Sequence, residues 1–232
     1  FSGTVFDMDK ETGNKILEYS MSSGIHNGKY QEWWNNGNKK TDGFFKNGKP
    51  HGSLTNWYIN GNKMEEGKFD NGIQIDRWVK YSESGIINRE LHYNNGDNVR
   101  VIEYYKSGTP KLDLQLKNGN YNGDWISYFD NGVKQYEGTY INGKSEGILS
   151  YFCRNGYKYK EHLYKNDLKI SENLFYTKND TIKIYEKRLK RLQKKDPNKE
   201  LTDIYSDYPN ILKLIHKYRK RIDLIICQSV SN

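Results

Sequence analysis

The side chains that could support catalysis are few, and their spacing argues against a catalytic or metal site. None of the five histidines is followed by a second potential metal ligand two to four positions later. The adjacent Glu65 and Glu66 would point to opposite faces of a strand, so they cannot act as an acid/base pair without partners from elsewhere. Phosphate-loop, dinucleotide-binding and nucleophile-elbow motifs are absent from the sequence. We therefore predict a protein that is not an enzyme and holds no metal or cofactor. The histidines are His26, His51, His92, His162 and His216.

Aromatic residues are the side chains whose type and spacing do indicate a function. They make up 14% of the 232 residues, although mean hydropathy is only −1.00. Adjacent pairs of large side chains recur along the chain, and neighbouring strand residues face opposite sides of a sheet, so both faces should carry aromatics. Exposed rows of Trp and Tyr are typical of protein interfaces. We predict partner-binding residues at Trp33, Trp34, Trp57, Tyr58, Tyr104, Tyr105, Tyr128 and Phe129, with Tyr81/Ser82 and Phe152/Cys153 in equivalent positions.

The elements that must position these pairs follow from two periodic series of glycines. Eleven of the 21 glycines follow Asn, and Asn-Gly is a strong signal for a two-residue hairpin turn. The turns leave segments of about 6 to 8 residues, which is strand length. The sequence therefore predicts a mainly β protein, an elongated, twisted antiparallel sheet of about seven hairpins. One series is Gly24, Gly48, Gly72, Gly96, Gly119 and Gly143; the other is Gly13, Gly37, Gly61, Gly85, Gly108, Gly132 and Gly156.

Large apolar or aromatic residues recur at fixed distances from these glycines and predict the core. On one strand of each repeat the series is Met21, Phe45, Phe69, Tyr93, Leu116, Tyr140 and Tyr164. Two residues earlier stand Gly43, Gly67 and Gly138, where a missing side chain would let a cross-strand aromatic lie over the backbone. On the other strand, six residues after the first-series glycine, the series is Tyr30, Leu54, Trp78, Ile102, Trp125 and Leu149.

This period, with its NGKxxG turn and G-x-[FY] strand, resembles the MORN repeat and most closely its bacterial variant. Residues 48–71 and 119–142 match best, whereas the third and fourth units have drifted: Asp76 replaces a turn glycine, and Leu91 and Leu114 replace strand glycines. The resemblance covers about 165 residues and implies a binding function with no catalytic residues. Proteins of this variant are often antitoxins or immunity proteins, while other MORN proteins are scaffolds or lipid-associated modules.

Residues 181–232 differ from the repeat region, residues 1–180, in composition and period. They hold 13 Lys and Arg against 6 Asp and Glu, and their apolar residues recur at helical spacing. We predict two or three basic helices that cap the open end of the sheet. Their cationic face could also bind an acidic partner, nucleic acid or anionic lipid. The candidate residues are Lys213, Lys217, Arg219, Lys220 and Arg221.

The function expected from these features is that of a bacterial immunity protein or antitoxin that blocks a toxin with an acidic surface. The alternatives are nucleic-acid or anionic-membrane binding through the basic helices, and a cell-envelope scaffold. No apolar run is long enough for a membrane span. Because residue 1 is Phe, a leader could precede it, so a cytoplasmic and an envelope location both stay open. Cys153 and Cys227 are expected to be small buried side chains.

Overall fold

The computed structural model describes residues 1–94 and 98–175. The predicted helical cap, including Lys213, Lys217, Arg219, Lys220 and Arg221, lies outside these residues. The described part of the chain contains strands and no helix, and so no helix there could cross a membrane. The prediction of a mainly β, antiparallel fold is confirmed for these residues.

Sixteen strands form an open antiparallel sheet whose order follows the chain, except that the two-residue β5 pairs with β4 beside β6. The strands are β1 (Gly3–Met8), β2 (Lys15–Ser22), β3 (Ile25–Trp33), β4 (Lys39–Lys46), β5 (Lys49–Pro50), β6 (Gly52–Trp57), β7 (Lys63–Asp70), β8 (Ile73–Tyr81), β9 (Ile87–Asn94), β10 (Asn98–Tyr104), β11 (Pro110–Lys117), β12 (Asn120–Tyr128), β13 (Lys134–Ile141), β14 (Lys144–Phe152), β15 (Lys158–Lys165) and β16 (Leu168–Leu174).

Asn-Gly turns join many of the strands because both central residues can adopt a positive φ. At the turn between β4 and β5, Asn47 has φ 51° and Gly48 has φ 77°. This is the backbone that a two-residue hairpin of matching twist requires. The predicted two-residue turn is confirmed at Asn47-Gly48, Asn71-Gly72, Asn118-Gly119 and Asn142-Gly143, where both residues have a positive φ. In the second series, as at Asn36-Gly37, only the glycine has a positive φ, and Asn27-Gly28 and Asn122-Gly123 lie inside β3 and β12.

The chain divides into two compact units. The first comprises Phe1–Gly132 and Thr139–Lys144; the second comprises Val133–Gly138 and Ser145–Asn232, of which the structure describes residues up to 175.

The core of the first unit is built where a strand glycine admits a large neighbour. Trp78 is 1% exposed, and a Cβ at Gly67 would lie only 2.2 Å from its Cδ2 atom. The indole Nε1 donates to the carbonyl of Lys68 at 3.0 Å, and Phe69 packs edge-on at a centroid distance of 4.9 Å. The expectation that an aromatic lies over a strand glycine is confirmed at Gly67.

The fourth repeat corrects one predicted core position. Val101, not Ile102, is buried at 1% exposure and pairs with both Leu91 and Leu114. Counting six residues forward from a turn glycine fails here because this repeat is one residue shorter. Leu91 and Leu114 occupy the glycine column, and the smaller Val101 between them leaves room for both side chains.

The second unit repeats the arrangement on a smaller scale. A Cβ at Gly138 would lie 2.6 Å from Cδ1 of Leu149. Cys153 is completely buried, as expected. The only other cysteine of the sequence, Cys227, lies outside the described residues.

Candidate partner-binding face

The two members of each predicted aromatic pair have different environments. The second member of three pairs donates a side-chain hydrogen bond to a backbone carbonyl one repeat further along the chain. These bonds join successive repeats, so the second members have a role in the fold, while their predicted contact with a partner stays a prediction. They run from Trp34 Nε1 to the Trp57 carbonyl at 3.2 Å, from the Tyr58 hydroxyl to the Tyr81 carbonyl at 2.8 Å, and from the Tyr105 hydroxyl to the Tyr128 carbonyl at 2.8 Å. Phe129, in the equivalent position, has no polar hydrogen to donate.

Side chains of the adjacent turns reinforce these junctions between repeats. Asn36 and Asn38 both donate to the carbonyl of Ile59 at 3.0 Å, and Thr109 donates to that of Asp130 at 3.1 Å. Asn60 and Asn62 donate to the carbonyl of Glu83 in the same way, at 2.9 and 2.7 Å.

The junction between the third and fourth repeats lacks these bonds among the described residues. Ser82 occupies the aromatic position and bonds only within its own turn, to Ser84 and Ile86. Ser84 and Ile86 occupy the positions that asparagines fill one repeat earlier.

Removing the hydroxyl of Tyr58 tests the structural role of the second members. Tyr58→Phe is expected to lower the free energy of unfolding by about 1 kcal/mol, because the Tyr81 carbonyl loses its side-chain donor. Urea denaturation of the full chain measures this. Tyr121→Phe, at a more exposed tyrosine, is the control and should leave the free energy of unfolding unchanged. Tyr157→Phe is unsuitable as a control, because the Tyr157 hydroxyl also donates to a backbone carbonyl, that of Phe175. Equal stability of Tyr58→Phe and wild type would contradict the structural role.

The first members of the pairs lie half-buried on the opposite face, where lysines approach their rings. Lys15 Nζ is 5.8 Å from the ring centroid of Trp33, and Lys39 Nζ is 5.7 Å from that of Trp57. Such lysine and aromatic contacts leave a surface that is both apolar and cationic. We call the face that carries these first members the tryptophan face.

An acidic residue recurs at one position of every repeat, and in the first unit it lies on the tryptophan face, as Asp42 does beside Trp57; the sequence analysis did not detect it. The members of this acidic column stand five residues after each second-series glycine, so the counting that located the apolar columns would have found it. Every repeat has an acid there. They are Glu18, Asp42, Glu66, Glu90, Asp113, Glu137 and Glu161.

In five of these seven repeats the acid is paired with the lysine three residues before it. Lys39 Nζ lies 2.6 Å from Asp42 Oδ2, and Lys63 Nζ lies 2.6 Å from Glu66 Oε2. Because Lys39 also lies over Trp57, a single lysine contacts both the acid and the aromatic ring. The remaining three pairs are Lys15 with Glu18, Lys134 with Glu137, and Lys158 with Glu161.

The third and fourth repeats replace that lysine by Ile87 and Pro110, and an arginine neutralises the acid instead. Arg77 holds Glu90 through Nε at 2.9 Å and Nη2 at 2.6 Å. Arg100 holds Asp113 in the same two-point way, at 2.8 and 2.6 Å. The acid is therefore kept in every repeat, while the residue that neutralises it changes.

The contacts of the third repeat favour the ionised form of Glu90 and the neutral form of Tyr81. Hydrogen bonds from Arg77 lower the pKa of Glu90 to about 2, despite the opposing effect of burial, and His92 adds a bond at 2.9 Å. Burial, together with a 2.5 Å hydrogen bond to Glu66, raises the pKa of Tyr81 to about 12. Glu90 is thus ionised at neutral pH and is not a proton donor there.

An open groove of about 560 Å³ lies on the tryptophan face beside Trp57. Its lining includes three lysines and Asp42; Lys39 is paired with Asp42 and Lys63 with Glu66, so Lys29 supplies the excess positive charge that could attract an acidic partner. Phe44 adds an apolar surface that is 46% exposed. The three lysines are Lys29, Lys39 and Lys63, and Gly43, Ser53 and Thr55 complete the lining.

The predicted partner-binding set is therefore divided. Trp33 and Trp57 lie on the tryptophan face, with Tyr104 beside Glu90. Trp34, Tyr58 and Tyr105 join repeats, and the basic residues 213–221 are outside the described part. In residues 1–94 and 98–175, no group of three or more His, Cys, Asp or Glu side chains could hold a metal ion.

Comparison with protein-family models finds no match to this chain, and comparison with curated proteins finds no significant one. The resemblance to MORN repeats stays a prediction.

Proposed function

We propose that this chain is a non-catalytic protein-binding module that uses the tryptophan face. The observation that carries the proposal is the groove beside Trp57, where a half-buried indole, an exposed Phe44 and three lysines border one concavity. Buried aromatic anchors with a charged surround are the usual energetic centres of protein interfaces.

The partner we propose is a toxin with an acidic surface, which the chain would block by covering it. The specific assignment as an immunity protein or antitoxin rests on the resemblance to the bacterial MORN variant. The charge of the groove is compatible with an acidic partner, because Lys39 and Lys63 are paired with Asp42 and Glu66 while Lys29 adds a further positive charge.

Truncation of Trp57 tests the proposal. Trp57→Ala is expected to weaken partner binding at least tenfold, because the anchor of the groove is lost. The partner would be recovered on the tagged full chain from native lysate and identified by mass spectrometry, and its Kd would then be measured with purified proteins. Co-expression should show whether wild type, but not the variant, relieves growth inhibition by that partner.

Tyr58→Phe is the matched control, since it changes the neighbouring residue on the opposite face and should bind within about twofold of wild type. A folded Trp57→Ala protein with wild-type affinity would reject the tryptophan face. Binding that disappears only on deletion of residues 183–232 would favour the basic segment instead.

A further inference from the structure

A second concavity, distinct from the groove beside Trp57, lies where the repeats have drifted. It is an open pocket of about 580 Å³, within the usual size range of ligand sites. It is lined by cationic and amide side chains, and none of its described lining residues is acidic. These polar residues are His92, Arg100, Lys117, Asn94, Gln115 and Asn122, with Val99 and Leu116 as the apolar lining.

The strand register places three basic side chains in one row, two of which line the pocket. Arg77 on β8 is directly opposite His92 on β9, and His92 is directly opposite Arg100 on β10. Arg100 is in turn opposite Gln115 on β11. Directly opposed residues share a face, and neighbouring strands are about 4.8 Å apart, so three basic side chains lie within about 10 Å.

Buried acids hold the arginines without covering them. The side chain of Asp113 is 16% exposed, whereas that of Arg100 is 52% exposed. Asp113 takes the Nε proton and one Nη2 proton of Arg100, and a guanidinium has five, so three remain for another acceptor. The carboxylate therefore fixes the orientation of a guanidinium that can still bind an oxyanion.

The amide groups of the pocket add donors. Asn122 Oδ1 accepts the backbone N–H of Asn142 at 3.2 Å, which leaves both Nδ2 protons of Asn122 available. Lys117 has no ion-pair partner among the described residues, so its ammonium is available as well.

From these groups we propose that the pocket binds a phosphate group. Arg100 would bind the phosphate oxygens through its remaining N–H groups, Lys117 would supply a point charge, and the amides would complete the donor set. This site does not depend on the groove beside Trp57 or on a protein partner.

Titration of the full chain with sodium phosphate, followed by nitrogen–proton NMR, tests the proposal. We expect saturable shifts at Arg100, Gln115 and Asn122, with a Kd of about 1 mM or below. Arg100→Gln and Lys117→Gln should each weaken binding at least fivefold. Lys117→Gln is the safer variant for folding, because no described residue depends on its charge. Lys106→Gln, an exposed turn lysine outside the pocket, should bind like wild type.

The proposal fails if the shifts stay linear in phosphate, if sodium chloride at equal ionic strength reproduces them, or if Lys117→Gln binds like Lys106→Gln. O-phosphoserine and phosphatidylcholine vesicles with and without phosphatidic acid distinguish the source. Competition by phosphoserine alone supports a soluble phosphate ester, and sedimentation only with phosphatidic acid vesicles supports a lipid headgroup.

Discussion

Gly67→Ala is expected to lower the free energy of unfolding by about 3 kcal/mol, although it adds one methyl group. The new Cβ would fall 2.2 Å from Cδ2 of Trp78, far inside van der Waals contact. Trp78 cannot move aside easily, because it is 1% exposed and its Nε1 donates to the carbonyl of Lys68. Urea denaturation followed by tryptophan fluorescence would measure the loss.

The cause can be isolated by changing the indole as well. In a Trp78→Val background, Gly67→Ala should cost less than about 1 kcal/mol, because the clash is removed. The fourth repeat supplies the precedent, since Val101 lies between two leucines there. Lys68→Ala, at the exposed neighbouring position, should stay within about 0.5 kcal/mol of wild type. An equal cost of Gly67→Ala in both backgrounds would contradict the steric explanation.

The ion pair between Arg77 and Glu90 should make stability depend on pH in the acid range. The folded-state pKa of Glu90 is about 2, below its ordinary value of 4.5, so folding favours the ionised form. The resulting stabilisation is fully present above about pH 4.5 and is lost as the pH falls towards 2. From the size of the shift we expect up to about 3 kcal/mol.

Glu90→Gln should therefore be less stable than wild type by about 2 to 3 kcal/mol at pH 7, with the gap closing below pH 3. Denaturant titrations at a series of pH values measure this difference. Glu83→Gln, at an exposed turn acid, should show no such pH dependence. A gap of constant size from pH 7 to pH 2.5 would mean that Glu90 acts through packing rather than charge.

The hairpin architecture could be predicted from sequence because its determinants are local. An Asn-Gly turn depends on two residues, and its recurrence sets strand length directly. The position of Val101 could not be predicted in this way. Loss of one residue moves the residues beyond it to the opposite face of the strand. The sequence does not show where along the strand this change begins, whereas the cross-strand partners do.

The same limit explains why the aromatic pairs were only partly understood. A bulge interrupts the pairing immediately before Trp33, Trp57, Tyr81 and Tyr104. Simple alternation therefore cannot decide which member joins the repeats and which lies on the tryptophan face. The acidic column was accessible to sequence reasoning, since its period is as regular as that of the glycines. It was missed because only apolar residues were counted.

The interruption at Ser82 has a consequence for how the first unit would come apart. In a linear array, stability is a sum of repeat terms and nearest-neighbour terms. The side-chain bonds of Trp34, Tyr58 and Tyr105 each stabilise one interface between neighbouring repeats. The interface after Ser82 has no such bond among the described residues. Partial unfolding should therefore separate two cooperative blocks, one ending with β9 and the next beginning with β10.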